Sequence, residues 1–445
     1  MAREYKDSGI EWIGRIPKEW KVVPFKSCFA TGKGLSFTKA DLVPEGIAVV
    51  SYGQIHSKNN TGTRLDDFLL RYIPVSLTEN GDNSKMCKGD FIFADTSEDL
   101  DGCGNCVYVD KDIDLYAGYH SITASPRIQK ANKFFAYYFQ TPCWRSQVRS
   151  RVTGIKVYSI SQSIINQTSI IVPSFEEQQR IAEYLDEKCG EIDSLISLQE
   201  QMIVQLADYK QSVITEAVIK GLDPNAQLVP SGIDWIELMP KGWKLIRFYY
   251  SSWIRARLGW KGLKAEEYTE IGYPFLSAFN IKNNKLDWSN INYINQKRYD
   301  ESPEIKLNLG DILLVKDGAG IGKCARVDSL PLGESTVNSS LAVITPKNYL
   351  NYRYLYYYLQ SNPFWSIINL LLVGMGVPHL TQTNMKNIKM PLPPLDEQLS
   401  IADFLDAKCS EIDDLITLKQ NKIEILKDYK KSLIYECVTG KIEVV

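Results

Sequence analysis

Apolar residues return every three or four positions through EQQRIAEYLDEKCGEIDSLISLQEQMIVQLADYKQSVITEAVIKG, from Glu177 to Gly221, the spacing that lines one face of an α-helix. The pattern comes back from Glu397 as EQLSIADFLDAKCSEIDDLITLKQNKIEILKDYKKSLIYECVTGK. Leu185, Cys189, Ile192, Leu195, Ile196, Ile203, Leu206, Tyr209 and Val213 fall opposite Leu405, Cys409, Ile412, Leu415, Ile416, Ile423, Leu426, Tyr429 and Leu433. Mostly Glu, Asp, Lys, Gln and Ser lie between them, so each copy is predicted to be a long amphipathic helix. A single stripe of this kind ordinarily packs on its own domain. Two of matching pattern most simply bury their seams on each other. The residues expected to pair are Leu185, Ile192, Ile196, Ile203, Leu206 and Tyr209 of the first copy with Ile412, Ile416, Ile423, Leu426 and Tyr429 of the second.

Cap signals bound these helices. Ser174 with Glu177 fits a capping box at the first start, Gly221 and Pro224 stop that helix, and Gly440 stops the second. Pro394 stands where Ser174 stood, so the second start is built differently. Gly190, opposite Ser410, predicts a break, with a short helix leading into a long one, since glycine inside a helix costs about 1 kcal/mol relative to alanine.

The repeat reaches beyond the helices. GIEWIGRIPKEWKVVPF (Gly9 to Phe25) returns as GIDWIELMPKGWKLIRF (Gly232 to Phe248), pairing Trp12 with Trp235, Pro17 with Pro240 and Trp20 with Trp243. Lys88 to Ile92 is answered by Leu309 to Leu313, Ala136 to Gln140 by Tyr356 to Gln360, Gly154 by Gly374, and Pro173 by Pro393. What does not repeat lies mainly at 26–87 and 249–308. Short β-branched and aromatic runs separated by Gly, Asn and Asp indicate a mostly β or mixed fold in each globular part, with helices near Lys133 to Arg149 and Tyr352 to Leu372. The expected class is α+β: mixed α/β domains at 1–173 and 222–393, each followed by a helical segment, at 174–221 and 394–445.

Charge, counted by segment, separates the domains from the helices. The net charge of −2 hides 21 Lys+Arg against 18 Asp+Glu in 1–173 and 19 against 14 in 222–393, while the helical segments hold 4 against 10 and 7 against 11. Mildly basic domains on acidic helices suit domains, not helices, resting on phosphates. The start MAREYKDSGIEW lacks the basic-then-apolar order of a secretory signal and no apolar run approaches about 18 residues, so the expectation is a cytoplasmic chain. Nine scattered cysteines read as reduced thiols.

Candidate chemistry is sparse. Lys316 to Cys324 (KDGAGIGKC) resembles a phosphate loop but has three residues between Gly318 and Gly322, and Cys324 where a hydroxyl is needed, so it reads as a turn. Cys103 and Cys106 form a lone CxxC without a second pair, so no metal is expected. Three histidines, His56, His120 and His379, leave little material for a nucleophile and base; His120 reads as structural or surface, and His379 sits in a loop able to touch DNA. Asn362-Pro363-Phe364-Trp365 lacks the second proline of an adenine-methyltransferase motif. For base reading the useful groups are Arg, Lys, Asn and aromatics. The candidates are Lys58, Asn59, Asn60 and Arg64; Arg149, Arg151, Lys156 and Tyr158; Arg255, Arg257, Trp260, Lys261 and Lys264; Lys282, Asn283 and Lys285; and Lys323 and His379.

The opening Gly-x-x-Trp-Ile…Pro-x-x-Trp, the Glu-Gln…Ile-Ala…Leu-Asp…Lys…Ile-Asp-x-Leu-Ile that begins each helix, and the two variable units in tandem make the whole chain resemble the DNA specificity subunits of type I restriction-modification systems. The resemblance implies two target recognition domains, each reading half of a split, asymmetric double-stranded DNA site, joined by two antiparallel coiled-coil helices with pseudo-two-fold symmetry. It implies a noncatalytic subunit without cofactor. Its partners would be two adenine-methyltransferase subunits using S-adenosylmethionine and, where DNA is cut, motor-nuclease subunits using ATP and Mg. The competing reading is a tandem-repeat interaction scaffold that never touches DNA.

Overall fold

The computed structural model describes residues 3–79, 82–127, 132–257, 265–318, 320–372 and 379–444. Both periodic stretches are unbroken α-helices, Phe175–Lys220 and Leu395–Val438. The break expected at Gly190 is absent. That glycine lies on an exposed face where an added Cβ would meet nothing, and Ser194 Oγ donates to its carbonyl at 2.8 Å. A local cost of about 1 kcal/mol is carried by the packed turns on either side. At the first start Ser174 Oγ accepts from the Glu177 N–H at 3.3 Å, but the Glu177 side chain is engaged elsewhere, so only half of the capping box forms.

The chain divides into two units, residues 1–199 with 421–445 and residues 200–420. Each unit therefore holds one globular domain, the first half of one long helix and the second half of the other. In the first unit Asp193 pairs with Lys430 at 2.7 Å, and Leu185, Cys189 and Ile192 share an apolar cluster with Leu433, Cys437 and Val438. In the second unit Lys210 pairs with Asp413 at 2.6 Å, and an added Cβ at Gly221 would meet Glu397. The helix segments are antiparallel in both. Asp193 and Lys430 are the repeat equivalents of Asp413 and Lys210, so one ion pair is made twice with the helices exchanged.

Ile196 and Leu426 pack at the edge of the first unit's core, Ile412 and Ile423 are buried, and Ile203, Leu206 and Ile416 are half-buried. Tyr209 and Tyr429, expected in the seam, are instead 51% and 56% exposed. A phenol can end a stripe in water with its ring edge still lying on the helix, and periodicity does not separate that from burial.

The two domains share one topology. In the first, a four-stranded antiparallel sheet runs in the order Phe29–Lys33, Ser121–Pro126, Phe91–Ala94, Cys106–Tyr108. In the second the order is Ser252–Arg255, Leu341–Pro346, Ile312–Val315, Cys324–Arg326. Beside each lies a second sheet with a parallel pair, Ile47–Val50 with Leu115–Ala117 and Tyr273–Leu276 with Thr336–Val337. A two-stranded ribbon joins the start and end of each domain, Lys21–Pro24 with Ser169–Val172 and Lys244–Arg247 with Lys389–Leu392. The expected helical stretches are each two helices, Asn132–Tyr138 and Pro142–Arg149, then Tyr352–Tyr358 and Asn362–Leu372, broken where proline removes an N–H.

The repeated motif residues fasten each domain to the helices of its own unit. Trp20 Nε1 donates to Glu177 at 2.8 Å, and Trp243 Nε1 to Glu397 at 2.9 Å. Gln178 and Gln398 each donate to the carbonyl five residues back, Pro173 and Pro393, at 2.9 Å. Tyr137 donates to Asp186 at 2.6 Å, and Tyr357 to Asp406 at 2.7 Å. Burial first, and then the Asp186 carboxylate, push the Tyr137 phenol far up; Tyr357 is pushed up in the same way by burial and Asp406. Gly440 packs on Pro17 and Trp20, and Gly221 on Trp243, so each helix end closes against a Pro-x-x-Trp motif. Among the described residues no helix is long and apolar enough to cross a membrane.

Candidate nucleic-acid interface

In both domains the loops that leave the strands at one end are joined side by side by backbone hydrogen bonds. In the first domain Gly118 N–H donates to Val50 O at 2.8 Å, Asp95 N–H to His120 O at 3.3 Å, and Ile160 N–H to Asp95 O at 2.7 Å. In the second, Asn338 N–H donates to Leu276 O at 2.8 Å, Lys316 N–H to Ser340 O at 2.9 Å, and Leu380 N–H to Lys316 O at 2.8 Å. Four loops thus form a continuous rim twice, with the same order and the same bonds.

The side chains on the two rims differ. The first carries Tyr52, Asp95, Thr96, Tyr119 and His120, and Tyr158–Ser159 is paired to Thr96–Ser97. The corresponding places in the second hold Ala278, Lys316, Asp317, Ser339 and Ser340, and His379 bridges to Asp317. His120 adopts φ 54°, in the left-handed region, with its Nδ1 3.3 Å from Asp95. A side chain there costs on the order of 1–2 kcal/mol and is held by the surrounding loops. Tyr52 stacks edge-on to His56 and His120, and burial, then Glu98, push its phenol up. In the second rim burial pulls the Asp317 carboxyl upward, but Lys316 and His379 outweigh it and hold the group below the usual carboxylate range.

Of the residues singled out in the sequence, Lys156, Tyr158, Lys323 and His379 lie in the rim loops, and Arg149 anchors the first rim by donating to Asp101 O at 2.8 Å. Arg151 is exposed and donates to Gln147 O at the entrance to the 153–159 loop. The clusters taken from the variable regions lie elsewhere. Asn60 donates to Ile55 O and Cys106 O, and Gly62 beside it packs on Gln140; Arg64 is paired with Asp66 at 2.8 Å, and Lys58 and Asn59 are exposed on the same loop. Lys282, Asn283 and Lys285 form the matching hairpin, whose Asn284 donates to Gln360 at 3.0 Å and whose Lys285 is 3.9 Å from Asp413. Both clusters face Gln140 or Gln360 rather than a rim. Spacing marks them as loops, but the fold of the strands decides which edge a loop joins.

The expectation for Arg255 is overturned. It is 5% exposed and donates to both carboxylate oxygens of Asp311 at 2.8 Å and to Glu304 O and Lys306 O, and its remaining Nε is buried, so burial keeps it from a base. Arg257 is half-buried, and burial pulls its guanidinium down. Trp260, Lys261 and Lys264 lie outside the described residues. Within the glycine-rich string of Lys316 to Cys324, whose Ala319 lies outside the described residues, Lys323 N–H donates to Gly320 O at 3.1 Å and Gly322 lies against Trp365, as Gly104 lies against Trp144. Cys106 is buried, its thiol pushed up to about 12 by burial, away from the thiolate a metal requires. Tyr52, Asp95 and Tyr119 were not marked by any motif, and Lys316 was marked only as the start of the glycine-rich string. The available signal was their place just after short apolar strands.

The chain was compared with known proteins. The family model described as the type I restriction modification DNA specificity domain matches residues 17–206 and 260–427. The putative type I restriction enzyme MjaX specificity subunit of Methanocaldococcus jannaschii is 25% identical over 97% of this chain and 96% of its own length. The MjaVIII specificity subunit of the same organism is 25% identical over 74% and 76%, and the Escherichia coli EcoKI subunit 19% over 96% and 90%. Among solved structures, a chain from work on assembly and conformational transition of a type I R-M system superposes with a TM-score of 0.73 at 18% identity, covering 96% of this chain and 99% of that one. The HsdS subunit of Thermoanaerobacter tengcongensis gives 0.55 at 17% identity, covering 96% and 98%. Those likenesses concern the fold; with the family model spanning most of its length, the chain belongs to the DNA specificity subunits of type I restriction-modification systems.

Proposed function

We propose that this specificity subunit reads a bipartite, asymmetric DNA site, one half with each rim, and directs adenine-methyltransferase subunits to it. The observation that carries the reading is the pair of rims. A backbone frame joined by equivalent hydrogen bonds but dressed with different side chains suits two half-sites of different sequence. Lys156, Tyr158, Lys323 and His379 are retained as contacts, joined by Tyr52, Tyr119 and Lys316. Lys58, Asn59 and Arg64 belong to a separate, helix-side group. A specificity subunit is not the catalytic member of its system, so methyl transfer from S-adenosylmethionine and ATP-driven cleavage fall to its partners.

Two further features support the partner half of the proposal. Leu195 and Leu198 are exposed on the first helix, and their repeat equivalents Leu415 and Leu418 are exposed on the second. One apolar patch displayed twice suits two copies of one methyltransferase subunit. The helix of 46 residues spans about 69 Å, close to two turns of DNA, which suits a spacer that fixes the distance between half-sites. Substituting Leu195 and Leu198 together with Asp should release one methyltransferase copy, measured by mass of the assembled complex. Retention of both copies would rule that surface out as the docking site.

A further inference from the structure

Phe279 is 90% exposed, which is unusual for so apolar a side chain, and the turn that presents it is firmly held. Ser277 N–H donates to Asn280 Oδ1 at 2.9 Å, and Asn280 N–H returns to Ser277 O at 3.0 Å. The buried Asn280 side chain then donates to Asn290 O at 2.9 Å, and Ile281 is buried behind it. The backbone on both sides is fixed and the ring projects from it into water.

This turn follows directly from Tyr273–Leu276, the strand whose end bonds to Asn338 in the second rim. The first domain has Gly53 at the same place, in an equally capped turn of Ser51 and Gln54, and an added Cβ there would meet nothing. An apolar ring thus projects beside one rim, where the other has empty space. Phenylalanine has no donor or acceptor. The base feature that it can distinguish is apolar, and in the major groove that feature is the C5-methyl group of thymine.

We infer that Phe279 is a base-contacting specificity residue that lies against a thymine methyl in the half-site read by the second domain. The inference rests on the reading that the rims face DNA. The test uses the full chain assembled with its methyltransferase subunits and duplexes carrying the mapped site, in which each thymine of that half-site is replaced in turn by uracil. At one position the wild-type complex should lose about fourfold in affinity, the worth of one methyl group. Phe279→Ala should bind the parent site about tenfold more weakly and show no response to that uracil. Phe279→Leu should recover part of the response, which separates lost contact from lost folding.

Several results would overturn the assignment: uracil tolerated throughout, a Phe279→Ala complex equally sensitive to it, an equal loss on all sequences, or a half-site without thymine. If Phe279→Ala instead loses its methyltransferase while keeping its sequence preference, the ring is a protein contact and the assignment falls. If the wild-type complex shows no sequence preference at all, the reading of the rims has failed with it. A neutral Phe279→Ala within a complex that still discriminates its site defeats the assignment alone.

Discussion

Two equivalent aspartates show how one side chain changes the physics of another. Asp90 and Asp311 both accept from a backbone N–H three residues back, Cys87 and Asn308, at 2.8 Å. Asp311 also meets Arg255, whereas the matching position in the first domain is Gly32, and there burial outweighs the hydrogen bonds of Asp90 and pushes its carboxyl up. Asp311→Asn should therefore cost about 3–5 kcal/mol, since it leaves a buried guanidinium unpaired. Asp90→Asn should raise stability at neutral pH. The sign for Asp90 follows from linkage: a carboxyl held above its ordinary 3.8 binds its proton more tightly in the fold. Its contribution favours the fold at low pH and is lost as pH rises from 3.8 through the raised value. Denaturation as a function of pH should show that decline in the wild type and not in Asp90→Asn. A second test addresses the motif tryptophan. Trp20→Phe removes the donor to Glu177 and should destabilise the chain by about 1.5–3 kcal/mol in urea titration. At this scale the sequence displays which residues recur but not why. Trp20 and Glu177 are far apart in the chain, and only the fold makes them partners. Arg255 read as a surface cation because its partner Asp311 also lies far from it in sequence.

The helices were the most legible elements, because a 3.6-residue period sustained over forty residues matches the α-helix and neither a strand nor a loop. The error at Gly190 came from weighing a local propensity against a length that overrides it. The rims were nearly illegible, since each is assembled from the ends of four strands that are distant in sequence, and the hairpin of Lys282 to Leu286 misled for the same reason. The spacer role of the helices can be tested directly. Seven residues in helical register inserted both between Asp193 and Lys210 and between Asp413 and Lys430 add two turns, about 10 Å. The gap between half-sites should grow by about three base pairs, with both half-site sequences unchanged. An unaltered gap, read by methylation mapping, would remove the helices from that role.

For the whole molecule, the net charge of −2 is a poor guide, because basic domains and acidic helices cancel in the total. Duplication was the feature most easily read: two domains of one topology and two helices that exchange halves between the units. Independence of the two copies is a separate property. Exchanging residues 1–173 for the equivalent domain of another specificity subunit should change one half-site and spare the other. A change in both would mean that the domains read DNA jointly. The most direct measurement is a base-resolution methylation map of DNA exposed to this chain with its methyltransferase subunits. Methylated adenines are expected in a site of two unlike sequences separated by a fixed number of unspecified base pairs. A single continuous sequence, two identical inverted halves, or methylation without sequence preference would contradict the reading of an asymmetric bipartite site by the two rims.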